Sequence, residues 1–420
     1  MRSITQFFHH AKKHVFEHKP IYIFAIMLFV WTLFDSILAY ITPVAVLDRG
    51  FSPIQMGLIM GCSSAFGAFF DFILSKFFRN TTYRRLFLFM FLSCAIYPLL
   101  LWKAQTLAVY WIAMAFCGLY YDLKNFGIHD FVNKHPLNDE HASTFGFLDV
   151  FRMLAYLIGP TIAGFLIVKD NTFAPYGYSI FFLSVAFVIY IILLKVTRRK
   201  HVERPPKNPC KPVTMVRELK IWEKVSISLL PILLFQILLN VFDATFWTIG
   251  PVYAEQFPQF ADFGGLFMTI YMISTLFTGF FVGILTRHFG QKKTAFVTFI
   301  IGAALISTFG FIHSPFIILG VLLLASLIGS FAWPAANGAY ADYISESHKF
   351  GKEITGVGDF NMNIGYFIGP IVAGVVMQYL GAGMTFTVMG LICSLGALIL
   401  FAVTPTQIKV QVKECELPRK

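Results

Sequence analysis

Two aspartates stand where a chain this apolar has little reason to keep them. Asp35 lies in FDSILAYITPV, residues 34–44, and Asp243 in FDATFWTIGPV, residues 242–252. On insertion scales such a charge costs roughly 2.5–3.5 kcal/mol at the centre of a bilayer. A carboxyl that endures this cost can take up and release a proton, and both residues are candidates for proton coupling. Their structural alternative is an ion pair with Lys124 or Arg152.

Other polar residues sit at helical spacing beside them. Gln236, Asn240, Asp243 and Trp247 form one stripe at i, i+4, i+7 and i+11. Asp122, Asn125 and His129 share a second face, from which Lys124 points away. Trp333, Asn337 and Tyr340 form a third. Asp149, Arg152 and Tyr156 are matched by Asp359, Asn363 and Tyr366, except that Met362 takes the place of Arg152. Asp122, Lys124, Asn125, Arg152, Gln236, Asn240, Trp247, Trp333 and Asn337 are the candidate substrate contacts. An anionic substrate would fit Lys124 and Arg152.

The elements that must carry these residues are long and apolar. Hydrophobic residues make up 57% of the 420 and charged residues 13%, outside the range of a soluble domain. A spanning helix needs roughly 20 apolar residues. Twelve segments qualify, at about 20–47, 54–75, 85–102, 105–130, 144–168, 175–196, 225–253, 263–286, 294–312, 315–341, 354–379 and 383–404. Little chain remains for a domain outside the membrane.

The net charge of +11 follows the membrane rather than a nucleic acid. Lys12, Lys13 and Lys19 precede the first segment, and Lys76, Arg79, Arg84 and Arg85 lie between the second and third. Ten basic residues crowd the link after the sixth, and Arg287, Lys292 and Lys293 follow the eighth. The alternate loops hold few. By the positive-inside rule both termini are expected in the cytoplasm. The first segment is too long for a signal-peptide core and is read as retained. The six cysteines show neither a disulfide framework nor metal-ligand spacing.

The chain repeats itself. FFDFILSKFF at 69–78 is echoed by FFVGILTRHF at 280–289, and IGPTIAG at 158–164 by IGPIVAG at 368–374. Asn125 and Asp130 recur as Asn337 and Asp342. The offsets of 208 to 212 divide the chain into a six-helix bundle at 1–196, a basic linker at 197–224 and a second bundle at 225–420. Within the linker, Thr214 to Val225 has the spacing of a short interfacial helix. Six helices per half is an even number, so the repeat is parallel.

Twelve helices in two halves, with a long basic central loop, resemble the major facilitator superfamily. Gly159-Pro160-x-x-Ala163-Gly164 resembles that family's antiporter motif, with Ala at the penultimate place. It recurs as Gly369-Pro370-x-x-Ala373-Gly374, so a structural bend accounts for it as well as an export role does. Gly283 to Lys293 is similar to the family's loop motif, but Arg287 stands where the family has Asp. The repeat puts Lys76 at the matching place, while another frame keeps Gly67-x-x-x-Asp71. The inverted sign suggests gate pairs of Lys76 with Asp359 and Arg287 with Asp149. The resemblance implies an all-α membrane fold whose first, fourth, seventh and tenth helices line a cavity.

It also implies alternating access without a cofactor or metal. No phosphate-binding loop, nucleophile elbow or zinc spacing suggests an ATP-driven machine or an enzyme. The leading expectation is a proton-coupled exporter of amphipathic or drug-like compounds in the cell membrane, working as a monomer with lipid, protons and a small molecule as partners. Proton-coupled uptake of a metabolite is the alternative. A sensor or scaffold built on a transporter fold is the alternative of another class.

Overall fold

The structure is a computed structural model. It describes residues 19–77, 81–135, 141–169, 173–197, 215–257, 265–346 and 351–404. Most of the basic linker therefore lies outside the described residues.

The chain is all helix among these residues. In order come α1 (Lys19–Asp48), α2 (Pro53–Phe77), α3 (Tyr83–Lys103), α4 (Leu107–Lys134), α5 (His141–Lys169) and α6 (Ala174–Thr197). There follow α7 (Met215–Glu255), α8 (Gly265–Phe289), α9 (Gln291–Ile306), α10 (Pro315–Gly329), α11 (Ala332–Glu346) and α12 (Gly351–Val403).

The twelve helices and the twelve expected segments correspond with two exceptions. The tenth segment is divided into α10 and α11, broken at Ser330 and Phe331. The eleventh and twelfth are the two arms of α12, which turns at Gly381 with φ 80°. That left-handed conformation suits glycine, which has no Cβ to clash. The apolar stretch Phe360–Val403 within α12 is 44 residues long, about 66 Å at 1.5 Å per residue. A bilayer core is about 30 Å thick, so α12 is long enough to cross twice. Thr214 to Val225 is no separate interfacial helix from Met215 on, because α7 runs unbroken from Met215 to Glu255.

The chain gathers into two compact units: residues 1–42 with 69–205, and residues 43–68 with 206–420. In the first, the core is aromatic. Phe24 of α1 packs on Phe131 of α4 at 4.0 Å between centroids and on Phe87 of α3 at 5.4 Å. Trp31 is fully buried and donates through Nε1 to Cys94 Sγ at 3.3 Å. In the second, Phe235 of α7 stacks on Phe296 of α9 at 3.8 Å. Leu229, Leu239, Ala303, Met389 and Cys393 complete that core. Small residues allow close crossings: Gly302 of α9 faces Gly329 of α10, where an added Cβ would come within 3.0 Å of its Cα.

Candidate functional site

Each half holds its aspartate among tyrosine hydroxyls, Asp35 buried and Asp243 half-buried. In the first unit, Asp35 is 2% exposed. Tyr120 donates to Oδ1 at 2.8 Å, and Tyr121 and Tyr156 donate to Oδ2 at 2.5 and 2.8 Å. Tyr120 in turn accepts from Cys117 Sγ at 3.3 Å. In the second unit, Tyr271 donates to Asp243 Oδ1 at 2.6 Å and Tyr366 to Oδ2 at 2.5 Å. The Tyr271 ring stacks on Phe246 at 4.1 Å and 5°. Neither aspartate forms an ion pair among the described residues; the pairs found there are Lys134–Asp130 and Arg152–Asp149. The expected alternative, an ion pair with Lys124 or Arg152, is absent there, and tyrosines hold both carboxyls.

The Gly-Pro motifs set this geometry. Gly159 of α5 crosses α1 at Ser36, and a Cβ there would lie 1.8 Å from Ser36 Oγ. Gly369 of α12 crosses α7 at Ala244, and its Cβ would lie 2.9 Å from Ala244 Cβ and 3.0 Å from the Val241 carbonyl oxygen. Ser36 and Ala244 directly follow the two aspartates, at the repeat offset of 208. Tyr156 and Tyr366 lie three residues before the two glycines. At 3.6 residues per turn, that spacing puts each hydroxyl donor on the face the glycine has brought close. Both prolines stand inside continuous helices. Gly374 has a further contact, since a Cβ there would lie 2.4 Å from the carbonyl oxygen of Pro53.

Lys124 points away from Asn125 and His129, as its spacing predicts, and it is Lys124 that faces inward. Its side chain is buried, at 1% exposure, while Asn125 and His129 are exposed. The ammonium lies 4.9 Å from the centroid of Trp31 and 4.3 Å from that of Tyr121. No carboxylate lies within ion-pair distance of it among the described residues. A buried ammonium costs several kcal/mol in lost hydration. Two cation–π contacts return about 0.5–2 kcal/mol each, so the cradle offsets only part of that. Arg152 pairs with Asp149 at 2.8 Å, and its Nε is buried without an acceptor.

The remaining candidates fall in several places. Asp122 is 6% exposed with Oδ2 unpartnered. Asn240 is 1% exposed with Oδ1 unpartnered, tucked against Gly365. Gln236 is buried, and Trp247 and Trp333 are half-buried, Trp333 packing against the second core. Asn337 is exposed. Of the gate residues, Arg287 is exposed and Asp149 is half-buried, engaged by Arg152 in its own helix. The side chains of Lys76 and Asp359 lie outside the described residues.

Sequence reading named neither Tyr120, Tyr121 nor Tyr271. Tyr120 and Tyr121 could have been found as a tyrosine pair one position before the intramembrane Asp122. Tyr271 carries no comparable signal.

The long apolar helices among the described residues, with a tyrosine-held carboxyl in each unit, mark a multi-pass membrane protein. Residues 232–419 match the family model of the Major Facilitator Superfamily. Three solved structures share the fold at low identity. The nucleoside transporter NupG gives a TM-score of 0.71 at 12% identity, covering 91% of this chain and 98% of that one. The peptide transporter POT in complex with sulfate gives 0.73 at 13% identity, covering 92% and 94%. A bacterial homologue of the human lysosomal transporter Spinster, inward-facing and unoccupied, gives 0.69 at 11%, covering 92% and 96%. The family match spans 188 of the 420 residues, and the solved structures share the fold with this chain. The chain is also 27% identical over 173 residues to a Na(+), Li(+), K(+)/H(+) antiporter of Planococcus maritimus, an alignment covering 38% of this chain and 39% of that relative.

Proposed function

We propose that this protein is a proton-coupled secondary transporter that exchanges protons for an amphipathic small molecule. The observation that carries the reading is the pair of repeat-related carboxyls, Asp35 buried and Asp243 half-buried, each held by tyrosine hydroxyls from neighbouring helices. A hydroxyl can donate to an ionised carboxylate and turn to accept from a protonated one. Such a site binds and releases a proton without a large rearrangement. The aromatic surroundings, Trp31, Tyr120, Tyr121 and Tyr156 in the first unit, suit a molecule with an apolar body. Export is the favoured direction, on the likeness to the antiporter motif, with both termini cytoplasmic and the cell membrane as the location.

Exchange of a monovalent cation for protons is a second reading. It is favoured by the relative from Planococcus maritimus, whose name describes such exchange.

The test is transport in proteoliposomes with an imposed pH gradient, using amphipathic compounds and Na+, Li+ and K+ in separate arms. Proton-driven movement of an organic compound that is lost in both Asp35→Asn and Asp243→Asn is the expected result. Wild-type rates in both variants would remove the coupling role. Movement of the metal cations alone would select the second reading.

A further inference from the structure

We infer that the transported molecule carries an anionic group on its apolar body, and that Lys124 and Arg152 hold that group. The inference rests on the transport reading above and names its substrate class.

Four observations converge within the first unit. The Lys124 ammonium is buried against two aromatic rings, with no carboxylate in ion-pair distance among the described residues. Asp35, the buried acid of the same site, already has its oxygens occupied by Tyr120, Tyr121 and Tyr156. Arg152 spends one nitrogen on Asp149 and keeps a buried Nε without an acceptor. Tyr121, whose ring centroid lies 4.3 Å from the Lys124 ammonium, and Tyr156, one turn along α5 from Arg152, both donate to Asp35 and stand 3.5 Å apart between hydroxyls, which sets the two cations around one site. Two like charges brought together, with donors left open, favour an anion between them.

The repeat shows that the fold does not demand these charges. At offsets of 212 and 210, Ala336 and Met362 take their places in the second half. The second half builds its carboxyl site without either cation. What the first half adds is recognition of negative charge, with Trp31 and the tyrosines as apolar walls. A cationic molecule would meet two like charges, because the carboxylates near them are already engaged, Asp35 by three tyrosines and Asp149 by Arg152. A neutral one would leave the ammonium as it is.

The experiment uses the full-length protein in phosphatidylcholine nanodiscs and three probes of one shape and different charge. These are 1-naphthalenesulfonate, 1-naphthalenemethanol and 1-naphthalenemethylammonium. The sulfonate is expected to bind at least about tenfold more tightly than the alcohol, and the ammonium most weakly. Lys124→Gln and Arg152→Gln are each expected to weaken sulfonate binding about tenfold and leave the alcohol unchanged. No sulfonate preference in the wild type would overturn the inference, and this arm needs no variant to fold. A preference that survives in the double variant would overturn it as well. Competition by added phosphatidylglycerol would transfer the site to a lipid headgroup and overturn its assignment to substrate. Proton coupling is measured separately: a sulfonate preference alongside pH-driven transport unchanged in both aspartate variants would sustain the anion site and remove the coupling reading.

Discussion

The two carboxyl sites are built from one plan and finished differently. Asp35 receives three hydroxyls, two from α4 and one from α5. Asp243 receives two, one from α8 and one from α12. Tyr156 and Tyr366 are repeat partners, but the other donors come from non-equivalent helices. The first site has a buried cation beside it, and the second has Ala336 at the corresponding position. What the duplication kept is the carboxyl, the glycine crossing beside it and one tyrosine. What it left free to change is the remaining shell, where the halves could take on separate tasks. The preserved part suits proton binding, and the divergent part suits recognition.

The largest effect expected from this comparison is a difference between two otherwise equivalent substitutions. Asp35→Asn and Asp243→Asn should both abolish most proton-driven transport. A hydrogen bond to a charged group is worth about 1.5 kcal/mol or more, so three bonds against two predicts about a tenfold greater loss at Asp35. Initial rates in proteoliposomes measure it. An equal or greater loss at Asp243 would break the claim that the first site is the more strongly built.

The glycine crossings provide the next test. Overpacking a tight contact costs about 1–3 kcal/mol, and Gly159→Ala and Gly369→Ala should each destabilise the protein by that order in thermal unfolding. The obstacles differ. Gly159 meets the Ser36 side chain first, while Gly369 meets the Val241 carbonyl oxygen and Cα as well as the Ala244 side chain. Ser36→Gly should therefore restore most of the stability lost in Gly159→Ala, whereas Ala244→Gly should restore little of that lost in Gly369→Ala. Equal rescue in both halves would show that the two crossings are interchangeable.

The skeleton of these sites was legible in the sequence because its signals are rare in apolar chain. An Asp inside such a segment stands out by what it costs to bury. A Gly-Pro pair stands out when it returns at the same offset as the Asp. The shell was less legible for a physical reason. Along a helix of 3.6 residues per turn, Asp122, Lys124, Asn125 and His129 spread around much of the circumference of α4. Periodicity could not say which of them faces inward, and the most polar face lost to a lysine lying on Trp31 and Tyr121. Tyrosine is also common where helices meet the membrane surface, so one deep within a bundle is not distinguished by type. The joins were harder still. The break that divides α10 from α11 and the fusion of two segments into α12 depend on single residues such as Gly381, in stretches as apolar as their neighbours.

The smallest expected effect is the sharpest probe of what the halves share. Tyr156→Phe and Tyr366→Phe each remove one hydroxyl from a repeat-related position, and the ring remains to fill its space. Each should slow proton-driven transport by about tenfold or less, and by similar factors in the two halves. Tyr120→Phe is the contrasting case. It leaves Asp35 with two donors, the number that Asp243 has, and frees the Cys117 thiol. If the third hydroxyl is what strengthens the first site, Asp35→Asn measured in the Tyr120→Phe background should lose about as much as Asp243→Asn does in the wild type. A difference that persists in that background would assign it to the Lys124 cradle instead of the hydroxyl count. Lys124→Met, placed in the same background, would then be expected to remove what remains of it.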